Sequence, residues 1–444
     1  MLIYESTKEE FLNSVLNDKI DQEIYDIYNQ KIGNVSKKEI SSWTNSMQHM
    51  YKVLNTSEIP NNSGIAIEFK IPSTCKRVDF IISGKNKENQ PNVIIIELKQ
   101  WSEIELVSDK DGIIKTPLGR GYHETTHPSY QAWTYTSLIE DYNENVQNEN
   151  IKLLPCAYLH NLNKINYPDI ENDVYQSHIK KAPIYTKGDA SKLREFIKKY
   201  IIYGDNKESL YKIDKGRLKP SKSLQSSLKK MLKGSQEFKL IDDQKLVYEN
   251  AKLMALKSYK DKKRRVLIVD GGPGTGKSVI AINLLVNLTA AGGVVHYISK
   301  NSAPRNVYSA KLKGTTTRTH IDNLFKGSGI FHDAKIKIFD ALIVDEAHRL
   351  NAKSGMFKNK GENQIKEIIC ASKFSVFFID ESQRVDIYDI GDKKSIENFA
   401  KEQNALMEIM SLESQFRCGG SDGYIAWLDD LLGIRQTAND DGFE

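Results

Sequence analysis

Residues 266–278 read VLIVDGGPGTGKS, and this stretch decides the fold of the C-terminal half of the chain. VLIVDG is an apolar run typical of a buried strand. KSVIAINLLVNLTAAG (277–292) has the length and composition of a helix that ends at a glycine. Between them, GGPGTGKS satisfies the pattern G-x-x-x-x-G-K-[ST]. A strand, a glycine-rich turn and a helix in this order predict a loop that binds phosphate through its backbone N–H groups.

The residue types of this loop suit a nucleoside triphosphate. Glycines permit the tight turn, the lysine reaches the β- and γ-phosphates, and the serine hydroxyl is a ligand for Mg²⁺. We therefore expect ATP and Mg²⁺ as cofactors. The residues expected to bind the nucleotide or its metal are Gly271, Gly272, Pro273, Gly274, Thr275, Gly276, Lys277 and Ser278.

Two acidic motifs follow further apolar strands. ALIV leads into DEAH, in which Asp345 is expected to face Mg²⁺ and Glu346 to polarise the attacking water. SVFFIDESQR repeats the form: Asp380 is a candidate for the same site, and Gln383 is a candidate sensor of the γ-phosphate. Upstream, Gln244 in LIDDQKLVYENA is a candidate hydrogen-bond partner of adenine. Both glutamines also fit the plainer interpretation as surface residues.

Strands and helices alternate through the C-terminal part, with VLIVDG, VVHYISK, ALIVDEAH and SVFFIDES as the strands. This alternation predicts a parallel sheet covered by helices on both faces. Residues 206–239 are rich in lysine and serine, which predicts a linker or small helical connector. Residues 1–205 would form a separate N-terminal α/β domain, with helices over 6–56 followed by predicted strands.

The strand VIIIELKQW carries a second chemical pattern. Glu97 and Lys99 are two residues apart and so project from the same face. Asp79 lies 18 residues before Glu97 on its own predicted strand, RVDFIISG. An Asp, a Glu and a Lys that converge in this way can hold one or two divalent metals and orient a water for phosphodiester cleavage. E-x-K alone is a weak signal in a lysine-rich chain.

A predicted helix (128–143) adds to this pattern. Gln131 and Tyr135 form Q-x-x-x-Y, an i,i+4 pair on one face of the helix. Glu68 is a possible further acid of the site. His123 and His127 flank the helix, and we assign them to a loop or a helix cap rather than to catalysis.

Composition excludes several classes of protein. A chain of 444 residues with 39% hydrophobic and 27% charged residues is neither disordered nor collagen-like. No apolar run approaches the ~18–20 residues of a membrane span, and no secretory signal is visible. Four scattered cysteines form no zinc or disulfide pattern. We expect a cytoplasmic protein whose net charge of +5 permits nucleic acid without requiring it.

The C-terminal 200 residues resemble the Schlafen-type (group 3) DNA/RNA helicase domain of superfamily 1. The matching stretches are LIDDQKLVYENA, GGPGTGKS, KNSAPRNVY, LFKGSG, LIVDEAHRLN, GENQIKEII, FFIDESQRV and LESQFRCGGSDGYIAWLD. The resemblance implies a RecA-like P-loop NTPase domain in which Gln244 lies beside adenine and Gln383 is the motif-III glutamine. It also implies that Arg417 is directed at the γ-phosphate and that KNSAPR (300–305) faces the nucleic-acid strand.

The acid–lysine pattern resembles the PD-(D/E)xK nucleases, especially the RecB-type domains with a Q-x-x-x-Y helix. This resemblance implies a restriction-endonuclease-like α/β domain in which Asp79 and Glu97 bind Mg²⁺ or Mn²⁺ and Lys99 is catalytic. Gln131 and Tyr135 would position the nucleic-acid strand. A valine replaces the family's name-giving proline before Asp79.

Together the two resemblances imply a nuclease joined to a helicase or translocase, acting on DNA rather than RNA in bacterial defence or DNA processing. Two alternatives stay open: a nucleotide-sensing switch that gates the nuclease without unwinding, and a non-catalytic nucleic-acid-binding protein. We expect residues 240–411 to form one RecA-like domain and 412–444 to begin an incomplete second one. ATP would then be bound but hydrolysed slowly, unless a second copy or a partner completes the ATP cleft.

Overall fold

The computed structural model describes residues 2–31, 37–71, 76–119, 121–217, 239–302, 306–307, 324–354, 360–384, 386 and 388–413. Contacts divide the described residues into two compact units, one ending at residue 217 and the other beginning at residue 239. Arg417, residues 303–305 of KNSAPR and most of the expected connector lie outside the described residues. Within them, no helix is both long and apolar enough to cross a membrane.

The N-terminal unit is built on a mixed sheet of order β1-β2-β3-β4-β8-β9 and a small antiparallel sheet of order β5-β6-β7. Neighbouring strands are antiparallel from β1 to β4 and parallel from β4 to β9. The strands are β1 (Tyr4–Thr7), β2 (Gly64–Lys70), β3 (Arg77–Lys85), β4 (Pro91–Lys99), β5 (Glu105–Leu106), β6 (Ile113–Leu118), β7 (Gly121–Thr126), β8 (Lys152–Leu159) and β9 (Ile184–Thr186).

Helices cover both faces of the main sheet. They are α1 (Lys8–Leu16), α2 (Ile20–Lys31), α3 (Lys37–Leu54), α4 (Pro128–Tyr142), α5 (Glu144–Asn148), α6 (Gln176–Ile179), α7 (Ala190–Tyr200) and α8 (Glu208–Lys215), with 3₁₀ turns at Pro168–Glu171 and Asp173–Tyr175. Helices α1, α2, α3 and α7 pack on one face, whereas α4 and α8 pack on the other. The residues of β4 are buried on both faces, as its continuous apolar run predicts.

Three features of this unit differ from the sequence-based expectation. Ser6 and Thr7, expected to be helical, end β1, because Thr7 caps α1 with its side chain and so stops the helix from extending backwards. The hairpin of β6 and β7 was not expected from the sequence. Helix α8 lies in the expected connector, yet Leu210 and Ile213 are buried in the N-terminal core. This unit therefore continues beyond residue 205.

The C-terminal unit contains a parallel sheet of order β12-β11-β13-β14-β10-β15. Its strands are β10 (Arg265–Gly271), β11 (Val295–Ile298), β12 (Phe325–Lys326), β13 (Phe339–Val344), β14 (Ser372–Ile379) and β15 (Leu406–Leu412). Strand β15 was not expected. Its last residue, Leu412, pairs with Gly271 and so belongs to this sheet, and residues 414–444 of the expected second domain lie outside the described residues.

Helices lie on both faces of the parallel sheet. They are α9 (Asp242–Asp261), α10 (Lys277–Ala290), α11 (Gln364–Ala371) and α12 (Lys393–Glu402), with 3₁₀ turns at Ser328–Ile330, Ala347–Arg349 and Glu381–Gln383. Helices α9 and α10 share one apolar cluster with the sheet, and α11 and α12 share the other. The predicted α/β class, with a parallel sheet in the C-terminal part, is confirmed.

Candidate functional site

The glycine-rich loop joins β10 to α10 at the carboxyl edge of the parallel sheet. Gly276 has φ +88°, in the left-handed region that favours glycine, and α10 begins at the next residue. A Cβ atom on Gly276 would lie 2.2 Å from Nε2 of Gln244, so alanine would have to displace that side chain. A tight turn that delivers the chain into a helix N-terminus is the geometry that favours bound phosphate.

Lys277 is buried at the start of α10. Its ammonium group donates hydrogen bonds to the carbonyl oxygens of Gly271 and Gly272, at 2.5 and 2.8 Å. The same nitrogen lies 4.0 Å from Oδ2 of Asp380, which follows β14. The fold thus brings Asp380 to the loop although 103 residues separate it from Lys277 in the chain. A lysine charge beside a helix N-terminus attracts anions.

Asp345 follows β13 and is buried, with 3% of its surface exposed. Its Oδ2 accepts a hydrogen bond from Oγ of Ser278 at 2.6 Å and one from the hydroxyl of Tyr297 at 2.5 Å. Burial raises the pKa of Asp345, and the hydrogen bonds from Ser278 and Tyr297 act against this rise. The two residues predicted to share a metal are therefore in direct contact. Their oxygens are of the hard type that Mg²⁺ prefers.

Glu346 is held by a histidine that the sequence motifs left without a role. Oε2 of Glu346 lies 3.0 Å from Nε2 of His348, and Nδ1 of His348 accepts the backbone N–H of Asp380 at 3.3 Å. Because Nδ1 accepts, the ring proton is on Nε2 and points at the carboxylate. The hydrogen bond from His348 is the largest cause that lowers the pKa of Glu346, and the charges of Lys277 and Arg349 lower it further. Glu346 is thus an oriented, ionised carboxylate.

Gln383 contacts the same group of residues through Asp380. Its Nε2 donates to Oδ2 of Asp380 at 2.6 Å, and the backbone N–H of Ser382 donates to Oδ1 at 3.1 Å. Since Oδ2 of Asp380 also faces Lys277, Asp380 links the amide of Gln383 to the lysine that follows the phosphate loop. Its role as a γ-phosphate sensor stays a prediction.

Gln244 is buried at the start of α9 and contacts the loop directly. Nε2 donates to the carbonyl oxygen of Thr275 at 2.9 Å, and Oε1 accepts the backbone N–H of Ile241 at 3.4 Å. The interpretation as an ordinary surface residue is therefore wrong for Gln244, which is 6% exposed. Its contact with adenine stays a prediction.

The segment expected to face nucleic acid begins at Lys300, after β11. The ammonium group of Lys300 lies 2.7 Å from Oδ1 of Asp389 and 3.0 Å from Oδ1 of Asn351. Nε of Arg349 lies 2.9 Å from the other oxygen of Asp389. These ion pairs join the start of the segment to the loop that follows DEAH. Residues 303–305 and Arg417, and with them the remaining predictions for these stretches, lie outside the described residues.

The carboxylate–lysine group lies in the N-terminal unit. Glu97 is 2% exposed, and Lys99 donates to its Oε1 at 2.6 Å. Asp79 accepts the backbone N–H of Leu98 at 2.7 Å and lies within hydrogen-bonding reach of Glu97. Burial raises the pKa of Asp79, and the charge of Lys99 opposes that rise. The fold therefore brings the three predicted residues together on β3 and β4.

The Q-x-x-x-Y helix packs on the same face of the sheet as this group. Ile95, two residues before Glu97, lies in the apolar cluster that contains Tyr135, whereas Leu98 lies in the cluster on the opposite face. Nε2 of Gln131 donates to the hydroxyl of Tyr135 at 2.9 Å, which confirms that the i,i+4 pair shares one face.

Glu68, the possible further acid, contacts a tryptophan and an arginine. Its backbone has φ +56°, and its carboxylate accepts a hydrogen bond from Nε1 of Trp43 at 2.8 Å and lies 3.1 Å from Nε of Arg77. His127 caps α4, accepting the backbone N–H of Ser129 at 3.2 Å, as expected. Within the described residues, no group of three or more His, Cys, Asp and Glu side chains is arranged to hold a metal. The metal site at Asp79 and Glu97 stays a prediction.

Sequence reasoning missed Tyr297 and His348, both in contact with predicted site residues. Tyr297 lies in VVHYISK, a stretch that signals only a strand. His348 is the last letter of DEAH, and its position three residues after Asp345 was the one signal available.

Residues 264–444 match the family model described as Schlafen group 3, DNA/RNA helicase domain. This match confirms the helicase part of the resemblance drawn from the motifs. None of the curated proteins matches the chain. The C-terminal part of the chain, from residue 264 onwards, is therefore similar to Schlafen group 3 helicase domains, and this similarity indicates an NTPase role connected with nucleic acid.

Proposed function

We propose that the C-terminal unit binds Mg·ATP at the carboxyl edge of its parallel sheet and couples ATP hydrolysis to a nucleic-acid strand. The convergence of four side chains carries the proposal: Lys277 and Ser278 from the start of α10, and Asp345 and Glu346 from the loop after β13. They supply a cation for phosphate, two oxygen donors for a metal and an ionised carboxylate for a water.

Each side chain has a distinct task in this proposal. Lys277 exchanges its bonds to the loop carbonyls for the β- and γ-phosphate oxygens. Ser278 and Asp345 hold Mg²⁺, which neutralises charge on those phosphates when it is bound. Glu346, oriented by His348, accepts a proton from the attacking water.

The test is phosphate release by the 444-residue chain with and without single-stranded DNA or RNA. Lys277→Ala is expected to abolish both nucleotide binding and release, whereas Lys394→Ala, at an exposed position on α12, is the matched control. Stimulation by one nucleic acid and not the other would assign the strand, for which we favour DNA. A turnover rate that Lys277→Ala leaves unchanged would overturn the proposal.

We infer a second function for the N-terminal unit, metal-dependent cleavage of the same nucleic acid. The support is the compact arrangement of Asp79, Glu97 and Lys99, with the Glu97–Lys99 pair at 2.6 Å, on the sheet face that α4 covers. Asp79 and Glu97 fit Mg²⁺ or Mn²⁺ as oxygen donors, and Lys99 would orient the attacking water. Such a pair of activities would suit bacterial defence or DNA processing.

Cleavage is tested on linear and circular DNA and RNA with Mg²⁺ or Mn²⁺, with and without ATP. Asp79→Asn is expected to abolish cleavage and to leave ATP binding intact, and Lys87→Gln in the exposed β3–β4 turn is the control. Cleavage that requires Lys277 but occurs without strand displacement would favour a nucleotide-gated switch. Binding of nucleic acid without cleavage under every condition would favour the alternative of a non-catalytic nucleic-acid-binding protein.

A further inference from the structure

Tyr297 is a buried tyrosine in contact with the proposed metal site, and the proposed function gives it no role. It lies on β11, is 1% exposed, and pairs with Ile343 on the neighbouring parallel strand β13. Both residues belong to the apolar cluster on the α9–α10 side of the sheet. Asp345 is two residues beyond Ile343, so it projects towards this same side.

The hydroxyl of Tyr297 donates to Oδ2 of Asp345, the oxygen that also accepts from Ser278. The two donors belong to different structural elements. Ser278 belongs to the first turn after the phosphate loop, whereas the ring of Tyr297 is fixed in the core, with the ring of Phe325 at 5.6 Å. The backbone N–H of Glu346 holds the other carboxylate oxygen at 3.1 Å.

We propose that Tyr297 is a positioning residue that fixes the carboxylate of Asp345 for Mg²⁺, independently of the phosphate loop; this rests on the proposed function of the C-terminal unit. Partners of metal ligands that fix ligand orientation in this way commonly change metal affinity by roughly 10- to 100-fold when removed. The hydrogen bond from Ser278 connects the carboxylate to the nucleotide-binding loop and the helix that follows it. Tyr297 ties it to the sheet.

The variant Tyr297→Phe removes one oxygen and keeps the ring. Tyr259→Phe is a matched control, because Tyr259 packs against the same apolar cluster and its hydroxyl is buried without a hydrogen-bond partner among the described residues. Binding of a fluorescent ATP analogue is measured over a series of Mg²⁺ concentrations at fixed pH, below the unfolding temperature of every variant. The readout is the Mg²⁺ concentration that half-saturates the gain in nucleotide affinity.

For Tyr297→Phe we expect unchanged affinity for the metal-free nucleotide and a roughly 10- to 100-fold higher Mg²⁺ requirement. Tyr259→Phe is expected to match the wild type. In an Asp345→Asn background, Tyr297→Phe is expected to have no further effect on the Mg²⁺ requirement, which a merely structural role would not predict.

An unchanged Mg²⁺ requirement in Tyr297→Phe, with nucleotide bound by the wild type, would overturn the role of Tyr297 but not the proposed function of the C-terminal unit. Equal effects of Tyr297→Phe with and without Asp345→Asn would overturn it as well. A wild-type chain that binds no nucleotide at any Mg²⁺ concentration, or a Lys277→Ala variant that binds it normally, would instead overturn the proposed function and the role of Tyr297 together.

Discussion

Replacing Gly276 with alanine is expected to destabilise the C-terminal unit and weaken nucleotide binding, because alanine meets two obstacles there. A left-handed backbone, here φ +88°, costs an alanine ~1–2 kcal/mol. The new Cβ would also lie 2.2 Å from Nε2 of Gln244, which would have to leave the carbonyl oxygen of Thr275. Loss of that hydrogen bond adds about 1 kcal/mol, so the free energy of unfolding is expected to fall by about 2–3 kcal/mol.

Substitutions at two other glycines separate the cost of backbone strain from the cost of the clash with Gln244. Gly292 has φ +85°, but a Cβ atom there would meet no atom within 4 Å, so Gly292→Ala should lose only the ~1–2 kcal/mol of backbone strain. Gly272 has neither obstacle, and Gly272→Ala should stay within about 0.5 kcal/mol of the wild type. In a Gln244→Ala background, Gly276→Ala should likewise lose only the strain.

Hydrogen exchange at the amides of β10 and β14 reports unfolding of this unit without interference from the N-terminal unit. A fluorescent ATP analogue reports the loop itself. Equal destabilisation by Gly276→Ala and Gly292→Ala would refute the clash with Gln244. So would a full loss of about 2–3 kcal/mol on adding Gly276→Ala to Gln244→Ala.

Three further outcomes are expected. Glu346→Gln should retain nucleotide binding and lose roughly 10²–10⁴-fold in phosphate release, because an amide cannot accept the proton of the water; release at the wild-type rate would exclude Glu346 as the base. Lys99→Met should destabilise the N-terminal unit by ~1–3 kcal/mol in urea, because the buried carboxylate of Glu97 loses its 2.6 Å partner, whereas Lys87→Met should not. Burial lowers the pKa of His127 to about 4, from 6.5. At His127 the unfolded chain therefore binds more protons between these values, and this histidine alone should lower stability by about 2 kcal/mol from pH 7 to pH 5. His127→Asn, which keeps a capping acceptor, should remove this contribution and leave that of His160, whose pKa burial also lowers to about 4; an unaltered slope would contradict the assignment.

Local patterns in the sequence were sufficient for the features that a few neighbouring residues encode. The strand, loop and helix around Lys277 follow from one stretch of residues, because glycine spacing and apolar periodicity act over that distance. The shared face of Glu97 and Lys99 follows from the two-residue period of a strand. The parallel sheet follows from the alternation of strands and helices, since parallel strands need crossover connections.

Tertiary structure alone decided the partners that come from distant parts of the chain. Tyr297 meets Asp345, 48 residues away, because β11 and β13 are neighbours in the sheet, and nothing in VVHYISK encodes that order. Glu68 contacts Trp43 because its backbone leaves the regular strand conformation at φ +56°, which no residue pattern announces. Strand β15 pairs with the free edge of β10, and this pairing overrides the weak intrinsic strand preference of the residues in β15. Side-chain contacts across strands depend on strand order and register, which are properties of the whole packed sheet.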